Sequence, residues 1–264
     1  MKALILSLLL AHALWASEYY AKAEPVDRYA IKASISGAVI KVDENQEGKV
    51  SDGRVLIMID DRMDKIELDA SKEKLAFLQR NIDLSKQSVS NARKVMQINQ
   101  ANYKKVQHLA SYSTLQKDTK RLAFINSNNS YIQSKSALET LKTQLADLKV
   151  RIARLQDSIS KKNISIDRGL YIYKLYPRVG DFVTMGAPLV DSADISKARL
   201  VIYVNKEDLE GIEQKKIYLN DKATDYKIAK LWKIADSKNI SAYRCEIIIN
   251  QPKVFSSLMK VEFK

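Results

Sequence analysis

The residues able to do chemistry are few and far apart. The chain has two histidines, His12 and His108, and one cysteine, Cys245. Neither histidine has cysteines or carboxylates at metal-ligand spacing, so no metal site is expected. Cys245 falls in an alternating apolar stretch with no histidine nearby to draw off its proton, which predicts a buried, inert thiol. Asp60-Asp61 closes one apolar run and opens a helical one, where negative charge favours a helix N-terminus; a catalytic pair would need two environments pushing its pKa values apart. A lipoylated or biotinylated carrier would hold its lysine on a tight turn between two β halves, and the whole of 62–163 stands at that point instead. The chain therefore reads as non-enzymatic, without cofactor, and its chemistry is that of surfaces.

Those surfaces are set by one long element. None of the seven glycines or four prolines lies within 54–168. These residues cost about 1 and 3 kcal/mol in a helix interior, so a stretch free of both predicts uninterrupted helix. Leu68, Leu75, Leu78, Ile82, Val89, Ala92, Met96, Tyr103, Val106 and Ala110 follow one alternating three-and-four spacing, broken in phase by Ser71, Ser85 and Asn99. That is a heptad seam. On the return side Leu138, Leu141, Leu145, Leu148, Ile152, Leu155 and Ile159 repeat it, whereas Leu115, Leu122, Ile125 and Ile132 follow a different phase. The two registers meet near Asn126–Ser136, and a stutter, locally unwound or bent, is expected there.

Two antiparallel helices need a reversal, and the midpoint of 62–163 falls near Tyr112. Ser113 followed by Gln116 fits a capping box opening the second helix, which puts the tip at 110–113. Each arm then reaches ~70 Å at 1.5 Å per residue. With serines and an asparagine in its seam, a free two-helix rod of this kind is marginal unless its ends are clamped or it packs beside copies of itself, a hint of oligomerisation.

The flanks read as β structure. Ile31–Asp60 and Ile164–Asp191 alternate between apolar residues and glycine turns. They share a repeat, Val50-x-x-Gly53-x-x-Leu56 and Val183-x-x-Gly186-x-x-Leu189, which predicts one small β domain split by the hairpin, its strands pairing across the insertion. Residues 1–16 have the features of a secretory signal: Lys2, an apolar core over Ala3–Leu10, and small residues at Ala11, Ala13 and Ala16. A mature start near Ser17 follows, with retention of the segment as an anchor the alternative. Nothing later is apolar for long enough to span a bilayer.

The chain carries a net charge of +13, and 62–162 holds 20 basic against 9 acidic side chains. In a cytoplasmic protein such an arm would suggest nucleic acid. Export argues against that and leaves an acidic protein surface, anionic head groups or plain solvent as what the charge faces.

Ile35-Ser36-Gly37-Ala38-Val39, then Val50-x-x-Gly53-x-x-Leu56, and later Val179-Gly180-Asp181-Phe182-Val183-x-x-Gly186-x-Pro188-Leu189, resemble the lipoyl-like half-motifs of periplasmic adaptor (membrane fusion, HlyD-like) proteins. Ala193–Val204 with Lys206–Leu209 is similar to the strand and short helix that open that family's β-barrel, and Arg244–Asn250 with Met259–Val261 to its closing strands. The resemblance implies an elongated α+β chain: an N-terminal segment at 17–30, lipoyl-like halves at 31–61 and 164–192, a coiled-coil hairpin at 62–163 and a β-barrel at 193–264. The family's membrane-proximal domain is expected to be absent or vestigial, with Tyr19–Tyr29 its only candidate.

The same resemblance implies a function in a Gram-negative periplasm. Such a protein, a homo-oligomeric ring, links an inner-membrane transporter to a TolC-type outer-membrane channel. A transporter of the resistance-nodulation-division type is favoured over ABC-driven secretion, and a tethering coiled-coil protein unconnected to transport is the other alternative. Channel contact is expected at the hairpin tip: Lys105 against an acidic rim, Leu109 in an apolar notch, and Ser113 capping the returning helix, with His108, Tyr112 and Gln116 beside them.

Overall fold

The computed structural model describes residues 17–235, 241–250, 252 and 255–264. The expected signal at 1–16 lies outside them. In chain order, β1 (Glu18–Pro25), β2 (Arg28–Lys32), β3 (Gly37–Val42) and β4 (Val55–Ile59) precede the helices α1 (Arg62–Val106) and α2 (Thr114–Lys161). Then come β5 (Asn163–Ser165), β6 (Tyr171–Leu175), β7 (Phe182–Val183), β8 (Pro188–Ala193), β9 (Lys197–Asn205), β10 (Ile217–Leu219), β11 (Lys222–Ala223), β12 (Ile228–Ala235), β13 (Ala242–Asn250) and β14 (Leu258–Phe263). The chain divides into two compact units: residues up to Met58 together with Ile164–Lys264, and Ile59–Asn163.

In the β unit, a seven-stranded sheet runs β11-β10-β14-β1-β9-β13-β12. Its strands alternate as half-buried antiparallel strands should: in β9, Ala198, Leu200, Ile202 and Val204 turn inward, meeting Cys245, Ile247 and Ile249 of β13 and Val261 and Phe263 of β14 in one apolar core. The N-terminal segment 17–30 contributes to this sheet. Its first strand pairs with β14 from Glu18↔Glu262 to Lys22↔Leu258 and with β9 from Ala23↔Leu200 to Pro25↔Ala198. Ala21 and Ala23 are small enough to sit buried between two strands, and the Tyr19 ring meets Phe263 edge-on at 6.2 Å. Tyr19–Tyr29 supplies most of β1 and the start of β2.

Two smaller sheets, β2-β8-β6 and β5-β4-β3-β7, complete the unit. Strands before the helices pair antiparallel with strands after them, as Ile31↔Val190 and Gly37↔Val183 show. The internal repeat has a conformational basis, because Gly53 and Gly186 both turn the chain at positive φ, +87° and +86°, where a side chain is strained. Three residues on, Leu56 and Leu189 are both buried.

The second unit is a helical hairpin. On α1 the heptad positions from Leu68 to Val106 are the buried or half-buried ones, Ser71, Ser85 and Asn99 included. Leu78 and Ile82 pack with Leu138 and Leu148, flanked by Leu75, Val89, Leu141, Leu145 and Ile152. Ala110 lies past the end of α1, exposed in the turn, so the seam ends at Val106. α2 carries no stutter. Its hydrogen-bonded helix is unbroken from Thr114 to Lys161, and the phase set by Leu138 continues tipward through Ser134, Tyr131, Ser127 and Phe124, all buried or half-buried. Leu115, Leu122, Ile125 and Ile132 are exposed. The leucine-rich root fixes the rotation of a stiff helix, and the tip half must follow it even where that turns the large apolar residues outward.

Candidate functional site

The seven residues 107–113 join the helices, and every expected contact residue lies at this end of the hairpin. Ser113 is the N-cap of α2: its Oγ accepts the Gln116 backbone N–H at 3.3 Å, and the Gln116 side-chain carbonyl accepts the Ser113 N–H at 3.0 Å. This is the capping box the sequence shows, and it satisfies two of the unpaired amides of the first turn. Both residues are therefore occupied in holding the turn. Lys104 and Lys105 close the last turn of α1, where positive charge favours the carbonyl end. The turn tightens through Leu109 N–H to the Val106 carbonyl at 3.1 Å. His108 stands exposed with its ring nitrogen 2.7 Å from the Gln107 amide nitrogen. Leu109 and Tyr112 remain exposed as well. The turn thus presents two large side chains and a cation around a self-capped backbone.

Sequence reasoning saw the residues of a second surface but misplaced them. Leu115, Leu122, Ile125 and Ile132 form a stripe on α2 facing away from the seam; Leu115 is 78% exposed and Leu122 55%. A matching set lies along α1, where Met63, Ile66, Phe77, Leu84, Val95 and Ile98 are all exposed at helical spacing on the side opposite the seam. The signal was the 7-3-7 interval of the α2 set, which is heptad-like in its own right. Both helices thus carry exposed apolar side chains away from the seam.

The root end is closed by polar contacts that the sequence did not reveal. The Ile59 N–H donates to the Lys162 carbonyl at 2.9 Å. Asp64 receives Lys162 Nζ at 2.9 Å and the Ser158 hydroxyl at 2.8 Å, and the Lys162 ammonium holds its carboxyl below the usual range. Asp61, buried at the N-cap position, pairs with Lys65 at 2.9 Å. Asp60 is held at about 2 by the Arg62 guanidinium beside it. These carboxylates are all committed to cations at a helix start, which is structural work.

In the β unit, burial pushes the Cys245 thiol up to about 12, so it carries no thiolate at neutral pH. Among the described residues no cluster of three or more histidine, cysteine or acidic side chains is placed to hold a metal ion. No helix among them is long and apolar enough to cross a membrane.

A split β body, a barrel-like sheet and a long helical hairpin together define the fold of the membrane fusion, or periplasmic adaptor, proteins. MacA from Actinobacillus actinomycetemcomitans superposes with a TM-score of 0.67 at 16% identity, over 94% of this chain and 78% of that one. The membrane fusion protein Spr0693 from Streptococcus pneumoniae R6 gives 0.64 at 13% identity, over 94% and 98%. A MacA–MexA chimera carrying the Pseudomonas aeruginosa MexA α-hairpin domain gives 0.57 at 16%, over 94% and 81%. No protein-family model and no curated protein matches the sequence itself.

Proposed function

We propose that this chain is a periplasmic adaptor: a non-enzymatic subunit that works as a ring of copies and joins an inner-membrane transporter, of the resistance-nodulation-division type, to a TolC-type outer-membrane channel for efflux of small molecules. The two β segments flanking the hairpin act as lipoyl-like halves of one body, and the seven-stranded sheet acts as the barrel domain. The mechanism is geometric. The hairpin tip meets the channel, with Lys105 against acidic groups and Leu109 in an apolar notch, while Ser113 and Gln116 keep the turn rigid.

The observation that carries this reading is the hairpin's surface. Its helices have 45 and 48 residues, or roughly 70 Å of reach, yet away from the root the leucines and isoleucines of α2 face outward. Burying even half of each of Leu115, Leu122, Ile125 and Ile132 would contribute about 1 kcal/mol per residue. A contact between the α1 edge of one copy and the α2 edge of the next is head-to-tail, the kind of contact that forms a ring when its rotation closes.

The tip assignment is tested by co-purification with the outer-membrane channel. Leu109→Asp should lower channel recovery tenfold or more with the helical signal unchanged, because Leu109 is exposed and outside the seam. Undiminished recovery would remove the tip from the proposal.

A further inference from the structure

Among the described residues, the last strand of the seven-stranded sheet, β12, has a partner on one side only. An edge strand normally protects itself with charge, and β12 has charge: Lys227, Lys230 and Lys233 are exposed on it or beside it. Protection alone does not explain what lies between the lysines. Ile234 is 83% exposed and Trp232 37%, and no edge is made safer by an open isoleucine and an indole. Both lie between Leu231 and Ala235, where the pairing of β12 with β13 is irregular and a bulge re-aims side chains. The Arg244 guanidinium of β13 lies 4.8 Å from the Trp232 ring centroid, and Tyr203 of β9, cross-strand partner of Arg244, is part-exposed alongside.

The charge here has one sign. No acidic residue occurs between Asp225 and Asp236. Glu246, opposite Lys230, is buried and already balanced by Arg244 at 2.6 Å and Arg199 at 3.7 Å. What faces solvent is a row of ammonium groups around an aromatic and a branched aliphatic side chain. Tryptophan with lysine is the composition of a membrane–water interface, where the indole sits at head-group depth and the ammonium groups meet phosphate.

We propose that the β12 edge docks onto anionic phospholipid head groups, with Trp232 and Ile234 entering the interface and Lys227, Lys230 and Lys233 pairing with lipid phosphates. The charge complementarity selects lipid over a protein groove, since three flexible lysines match a fluid array of anions without fixed geometry. The inference is independent of the channel reading.

Full-length protein sedimented with vesicles tests it. Vesicles of phosphatidylcholine with about one-third phosphatidylglycerol should carry the protein down, and phosphatidylcholine alone should not. Binding should weaken with salt, as head-group attraction does. Trp232→Ala with Ile234→Ser should reduce binding at least fivefold, and each Lys→Gln at 227, 230 or 233 roughly fivefold. Comparing each variant with its parent cancels any lipid affinity of the first residues or the hairpin. Should the Trp232 variant fold poorly, Lys230→Glu with Lys233→Glu makes the same test from exposed positions. Equal binding to both vesicle types, or binding unchanged in these variants, would overturn the proposal; so would absence of vesicle binding with Trp232-dependent capture of a protein partner in its place.

Discussion

The root and tip halves of the hairpin use one heptad frame in opposite ways. Near the root the seam is Leu75, Leu78 and Ile82 against Leu138, Leu141, Leu145 and Leu148, and Asp64 locks the helix ends through Lys162 and Ser158. Toward the tip of α2 the seam positions are Ser134, Tyr131, Ser127 and Phe124, while the leucines and isoleucines face solvent. The serines are tolerated because each satisfies itself locally: Ser127 Oγ donates to the Phe124 carbonyl at 2.9 Å and Ser134 Oγ to the Ser130 carbonyl at 2.9 Å. The root holds the hairpin together, and toward the tip α2 turns its leucines and isoleucines outward while α1 keeps Val89, Met96 and Val106 in the seam.

The largest effect should come from exchanging the same residue type across that divide. Leu138→Ala removes a buried seam side chain and should cost about 2 kcal/mol, the low end for such truncations because the gap opens toward solvent. Leu122→Ala should change monomer stability by less than about 0.5 kcal/mol. Urea unfolding followed at the helical signal reads the first difference. Sedimentation reads the second, since Leu122→Gln with Ile125→Gln should weaken self-association while Leu138→Ala should not do so at temperatures where it is folded. Equal destabilisation by the two alanine variants would mean that both halves carry the core alike.

How much of this was legible beforehand depended on whether a pattern had one physical cause or two. The glycine- and proline-free stretch, the α1 heptads and the Ser113/Gln116 cap each follow from local helix chemistry, and each is read directly in the residues. The split β body was visible in the Gly53 and Gly186 repeat because positive φ leaves glycine little competition. Leu115, Leu122, Ile125 and Ile132 were visible too, but periodicity says only that residues share a face; it does not say which face a distant root will turn inward. Strand β1 was missed for a related reason. Its partners, β9 and β14, lie far along the chain, and Ala21 and Ala23 are too small to announce burial. The Asp64–Lys162 contact joins the first turn of α1 to the residue that ends α2, far apart in the sequence, where no spacing rule reaches.

A middle-sized effect tests whether the polar tip seam is a choice or a necessity. Ser127→Leu with Ser134→Leu fills two seam positions whose hydroxyls bond only to their own helix, and each should add about 1 kcal/mol to stability. If the tip half is held loose so that its outer face can engage a partner, these variants should be more stable and poorer in channel recovery. A gain in stability with recovery unchanged would make the serines incidental to function, and a loss of stability would show that the helices approach too closely there for a larger side chain.

The smallest effect belongs to the root clasp and is separable by pH. Lys162 beside Asp64 lowers its carboxyl below the ordinary value of 3.8, so the folded state binds this proton less readily than the unfolded chain. The stabilisation is present in full above that ordinary value and is lost as pH falls through the depressed one. Asp64→Asn should cost about 0.5 kcal/mol at neutral pH, since the pair is only part-buried. Over the window below about pH 4, the parent should lose stability more steeply than the Asn variant, and the two unfolding curves should converge. Because the charge of Asp60 is already met by Arg62 two residues on, which holds it at about 2, Asp60→Asn should leave that convergence in place, which assigns that part of the acid sensitivity to the contact between the two helices and not to the first turn of α1.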